Sequence, residues 1–157
     1  MKEKILEAFR DLGFKLEEEE GMGYCFNYEG LNLLYMYNEN DEEFLTIALP
    51  GIVEVEDDKM LQICALLEKI NSTLKYVKTY MLGNSVWLFY ERELFGEEDL
   101  MTVISRMILH LEAGLVFARK AMAEIEETMA NESSDDDTAE SAEEIVAKEI
   151  ADDEDNE

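Results

Sequence analysis

A chain of 157 residues, 47% of them hydrophobic, is long enough to bury one core and suits a single main domain. Its formal charge of −26 is extreme. Such a charge repels nucleic-acid backbones and anionic membrane surfaces, so no nucleic acid and no membrane is expected as a partner, while a basic protein stays compatible.

The acidity is uneven. Residues 131–157 hold thirteen acids, one base and no aromatic ring, against twenty-six acids and twelve bases in residues 1–130. Composition therefore divides the chain into a domain, 1–130, and an acidic tail, 131–157, expected to lack fixed structure. Lys2, Glu3, Lys4 and Glu7 interrupt the apolar residues of the N-terminus, so it does not read as a secretory leader, and no uninterrupted apolar run approaches a membrane span. Cys25 and Cys64 lie far apart without metal-like spacing. Two reduced thiols in or near a core, in a cytoplasmic protein, are expected.

Ile5, Leu6, Phe9 and Leu12 repeat at helical spacing until Gly13 stops them. The four glutamates 17–20 read as a solvated edge or loop. From Tyr24 the period becomes two: Tyr24, Phe26 and Tyr28 share one strand face, and Leu31, Leu33, Tyr35 and Tyr37 the next, around a Glu29-Gly30 turn. Residues 38–41 form a turn cluster, and 44–49 make a third strand closed by Pro50-Gly51. Asn38, Asn40 and Glu42 alternate as a calcium loop begins, but Glu43 stands where that loop needs glycine and Leu49 where it needs a carboxylate. A hairpin turn is the expectation.

Asp57-Asp58 opens a second helix whose buried stripe is Met60, Ile63, Cys64, Leu67 and Ile70, with Gln62, Glu68 and Lys69 outward. Asn71-Ser72-Thr73 ends it. Residues 75–82 and 85–95 follow as two strands about a Gly83-Asn84 turn. On the latter, Val86, Leu88 and Tyr90 face one way, and Trp87, Phe89 and Glu91 the other. Trp87 and Phe89 are expected in core or subunit packing, and are the candidates if a sheet face binds a partner.

The last element, predicted over 97–129, keeps an apolar or small residue at alternating steps of three and four: Met101, Ile104, Ile108, Leu111, Leu115, Ala118, Met122, Ile125 and Met129. As a helix it spans about 50 Å, more than a five-stranded sheet about 20–25 Å wide can cover. The surplus predicts a homodimer or a protein partner along Leu111, Leu115, Ala118, Met122, Ile125 and Met129. The small Gly114, Ala118 and Ala121 would allow close approach; a break at Gly114 is the alternative.

Catalytic chemistry has little to work with. His110 is the single histidine, so no Ser/His/Asp set avoids it and no histidine pair exists for zinc. Neither GxxxxGK[ST] nor GxGxxG occurs. No catalytic, metal or cofactor residue is assigned, and a non-enzymatic protein is expected.

The order α-βββ-α-ββ-α predicts an α+β domain with a five-stranded antiparallel sheet. That order, with the stretches 67–76 (a helix ending in Ile70-Asn71, then a lysine-bearing strand) and 81–94 (a hairpin), and the long amphipathic helix after them, resembles the type III secretion chaperone-like fold. Within that fold the chain resembles the bacterial YbjN-like proteins, once labelled sensory-transduction regulators. The resemblance spans residues 1–130 and implies a small acidic cytoplasmic dimer that binds protein segments without catalytic residues. Two functions follow as expectations. One is a dimeric chaperone-like or regulatory module holding a segment of a partner protein; the other is an acidic decoy that sequesters a basic partner through its surface and tail.

Overall fold

Two-residue alternation gives every strand but the all-glutamate first one an apolar face, and the amphipathic helices gather on that side. The computed structural model describes the backbone of residues 1–154 and the side chains of residues 1–134. In chain order the elements are α1 (Lys2–Asp11), β1 (Glu17–Glu19), β2 (Gly23–Tyr28), β3 (Leu31–Met36), β4 (Phe44–Glu54), α2 (Met60–Thr73), β5 (Val77–Leu82), β6 (Ser85–Glu93) and α3 (Leu100–Glu154). Among the described residues the strands form one six-stranded antiparallel sheet in the order β1-β2-β3-β4-β6-β5.

The α+β class and the antiparallel sheet match expectation, with one strand more. The extra strand is β1, where Glu17, Glu18 and Glu19 lie opposite Cys25, Tyr24 and Gly23. A glutamate-only strand is stable at a sheet edge because its side chains stay in water, and its charge deters further pairing. β4 is also longer than expected, continuing through Pro50-Gly51 to Glu54. Proline is tolerated there because β3 pairs only with Thr46–Ala48, and the β4–β6 register is interrupted between Leu49 and Val53. The 38–41 segment is a turn: the Asn40 N–H donates to Asn38 Oδ1 at 3.0 Å and the Asp41 N–H to the Asn38 carbonyl at 3.1 Å.

The core lies between sheet and helices. Phe26, Leu33, Tyr35, Ile47 and Leu88 of the strands meet Phe9 of α1, Leu66 and Ile70 of α2, and Ile104 and Leu111 of α3. On α2 the buried stripe is Ile63, Leu66 and Ile70. Cys64, expected near the core, is exposed, because Leu66, about 200° further round the helix, takes the inward position with Ile63 and Ile70.

α3 does not break at Gly114. A Cβ there would stand 3.3 Å from Leu88 Cδ1 and 3.5 Å from Val77 Cγ1, so the glycine lets the helix settle on its own sheet. Val103, Met107 and Ala121 are buried beside Ile104, Ile108, Leu111, Leu115 and Ala118. Together they make the wide stripe of a helix lying on a sheet, broader than a coiled-coil seam. By length and composition alone residues 100–134 could cross a membrane; here that apolar stripe packs on the strands. The helix passes the domain–tail boundary expected at residue 130 and is continuous to Glu154. The side chains of Ile145, Val146 and Ile150, a short amphipathic pattern within the tail, lie outside the described residues.

β5 closes the far edge of the sheet, and α2 guards it. Asn71 Nδ2 donates to the Thr79 carbonyl at 3.0 Å, while its Oδ1 accepts the Thr79 N–H at 2.8 Å. The two outward backbone groups of mid-β5 are thereby occupied, which blocks strand addition. Asn71→Ala should lower stability by about 2 kcal/mol, since two part-buried backbone groups lose their partner. Urea unfolding checks the loss, and sedimentation should show new concentration-dependent self-association through the freed edge.

Candidate functional site

Among the described residues no helix packs on the second face of the sheet, and its apolar cluster is made of strand residues alone. Strand register builds it row by row. One row crosses all six strands as Glu17, Cys25, Leu34, Ala48, Phe89 and Lys78. The adjacent row runs Glu19, Gly23, Met36, Thr46 and Glu91. Apolar groups therefore occupy the middle, and carboxylates the margins, with Lys78 ion-paired to Glu91.

Aromatic stacking finishes one side of this face. Tyr80 lies on Phe89 with ring centroids 4.1 Å apart and planes 4° from parallel; Trp87 flanks Phe89 at 6.0 Å and 16°. Phe89 is thus buried although no helix covers it, whereas Tyr80 is 40% exposed and Trp87 is half-buried. The Trp87 indole N–H donates to Ser85 Oγ at 2.9 Å, and Thr79 Oγ1 donates to the Trp87 carbonyl at 2.7 Å, so the platform is held from both strands. Burial pushes the Cys25 thiol up from its usual pKa, and Glu19 and Glu17 push it further. It is a neutral, packing thiol at physiological pH.

Trp87 and Phe89, predicted as a pair, meet here. Leu34, Met36, Ala48 and Tyr80 complete the face and were not singled out in the sequence; their signal was the second phase of each strand's alternation. The six residues expected at an interface divide. Leu111, Leu115 and Ala118 are buried in their own core, because the sheet and α2 cover the first half of the seam. Met122, Ile125 and Met129 are half-buried. Ile125 and Met129 line an open groove of about 560 Å³ between α2 and α3, with Ala65 and Lys69 opposite; Lys69 Nζ bonds Glu124 Oε2 at 2.9 Å across it. His110 packs edge-on against Tyr76 and Tyr90, and Cys25 lies on the opposite face of the sheet, so no dyad of these two forms. Among the described residues no cluster of three His, Cys, Asp or Glu is arranged to hold a metal.

An antiparallel sheet with helices on one face, the longest last, and an apolar platform on the other defines an α+β domain of YbjN-like fold. The chain is similar to the crystal structure of YbjN from E. coli, a proposed transcription regulator, at TM-score 0.59 and 14% identity, covering 76% of this chain and 92% of that one. It is also similar to an uncharacterized protein from Methanothermobacter thermautotrophicus, at TM-score 0.50 and 18% identity, covering 81% and 97%. At these identities the likeness is one of fold. No protein-family model matches the sequence, and no curated protein matches it.

Proposed function

We propose that the protein is a non-catalytic binding module, a chaperone-like or regulatory adaptor, that holds a segment of a partner protein across the open sheet face. The observation that carries this is the helix-free sheet face on which Cys25, Met36 and Trp87 stand half-buried and Tyr80 40% exposed around the buried Leu34, Ala48 and Phe89. Contiguous apolar surface bordered by charge is the usual form of a protein-binding patch. Its margins, Glu17, Glu19 and Glu91, select an occupant with two or three aliphatic or aromatic residues flanked by lysine or arginine. A second copy meeting the half-buried Met122, Ile125 and Met129 would make the module a homodimer.

Trp87 is the sole tryptophan, so its emission reports on this face directly. Titration with a synthetic peptide of that chemistry should shift the emission, and Tyr80→Ala or Met36→Ser should weaken binding about tenfold each, the loss typical of an interface anchor. Removal of residues 131–157 should leave affinity within about twofold, and raising salt to 0.5 M should reduce it only modestly. The acidic-decoy reading gives the reverse: affinity lost with the tail, steep in salt and indifferent to both substitutions.

A further inference from the structure

A second site lies on the helix-covered side, near the start of α3. Tyr76, just before β5, has a backbone φ of +68°, a left-handed conformation that bulky side chains rarely adopt. Its ring lies parallel to Tyr90, with centroids 5.7 Å apart and planes 7° from parallel. His110 meets both rings edge-on at 5.4 and 5.7 Å. With Arg92, Arg106 and Val103 these rings line a cleft of about 370 Å³.

Its charge runs against the composition. In a chain of 39 acids and 13 lysines and arginines, two guanidiniums and the only imidazole converge here. Arg106 makes no ion pair among the described residues. The closest approach of Arg92 to Glu98 is a long 3.8 Å. The Glu98 oxygens are engaged by the backbone N–H groups of Phe95 at 2.7 Å and Gly96 at 2.9 Å. Burial raises the Tyr90 phenol pKa, with Arg92 and Arg106 acting against the shift and Tyr76 with it. His110 Nδ1 lies 2.7 Å from the Arg106 carbonyl, which only accepts, so Nδ1 carries a proton and Nε2 of the neutral ring is an acceptor for a ligand hydroxyl.

We propose that this cleft binds a small phosphate monoester carrying a planar ring. Two guanidinium forks suit the three oxygens of a phosphate better than the two of a carboxylate. The open side of Tyr76, whose residue is 66% exposed, supplies a stacking platform for the ring. A polyanion such as a nucleic acid would meet the remaining negative surface, whereas a ligand the size of the cleft meets only its cations.

Calorimetric titration of the full chain with AMP, inorganic phosphate and adenosine tests this. AMP should bind at least tenfold more tightly than phosphate, and adenosine should not bind measurably. Arg106→Gln and Arg92→Gln should each weaken AMP at least tenfold while leaving the unfolding midpoint in place. Tyr76→Gly should lose AMP but keep phosphate. No AMP binding, equal binding of adenosine, or AMP affinity unchanged in both arginine variants would overturn the proposal.

Discussion

Leu111→Ala is expected to remove about 3 kcal/mol of stability, with an unfolding midpoint that does not depend on protein concentration. Leu111 is fully buried in its own subunit, in the stripe where α3 lies on the sheet. Truncating such a leucine forfeits transfer free energy and leaves a cavity, at about 2–5 kcal/mol depending on how far the neighbours relax. Gly114 lies three residues further along α3, where even a Cβ would stand 3.3 Å from Leu88 Cδ1, so the close-fitted sheet has little slack with which to fill the void. Met129→Ala, at the half-buried end of the same seam, should cost under about 1 kcal/mol in the monomer. Its effect should appear in association, if a second copy covers that end. Urea unfolding at two protein concentrations separates the cases. A Leu111→Ala loss that grows on dilution would return this residue to an interface.

The contrast shows what the sequence could convey. The heptad-like spacing located the helix and its inward edge, but a three-four seam is common to a coiled coil and to the centre of a wider stripe. The flanking Val103, Met107 and Ala121 distinguish the two, and they are buried. Alternation likewise placed Trp87 and Phe89 on the face away from Leu88 and Tyr90, as the register shows. Their neighbours Leu34 and Ala48 were less legible, because the pairing of β4 with β6 spans α2 and β5 and is set by long-range packing. Ile70-Asn71, part of the likeness to the YbjN-like proteins, has a physical reason in the structure: Ile70 fills the core and Asn71 occupies the edge of β5. Least legible was the Tyr76 cleft. It depends on one positive φ and on side chains from α3, β6 and the segment before β5, none of which any local pattern announces.

Gly23→Ala is expected to cost about 3 kcal/mol, and to act on the acidic margin of the open face before it acts on the whole fold. Gly21 and Gly23 read in sequence as a two-glycine turn, yet only Gly23 is hemmed in. A Cβ on it would stand 2.0 Å from the Tyr35 carbonyl oxygen of β3, and its φ of +139° is one that L side chains rarely take. Gly21 has open space around it at φ +78°, so an alanine there carries backbone strain alone, about 1–2 kcal/mol. At Gly23 the clash is with backbone, so no rotamer change relieves it, and β2 must move away from β3. Gly23 is also the residue opposite Glu19, so the displacement loosens β1, which has only three paired residues to hold it. Hydrogen exchange should therefore accelerate first at the amides of β1 and the start of β2, with β4 and β6 protected until global unfolding. Affinity for a basic-flanked peptide should fall with it, because Glu17 and Glu19 no longer stand in register with Cys25 and Met36. Gly23→Ala with unchanged exchange in β1 and unchanged binding would show that those glutamates contribute nothing to the face they border.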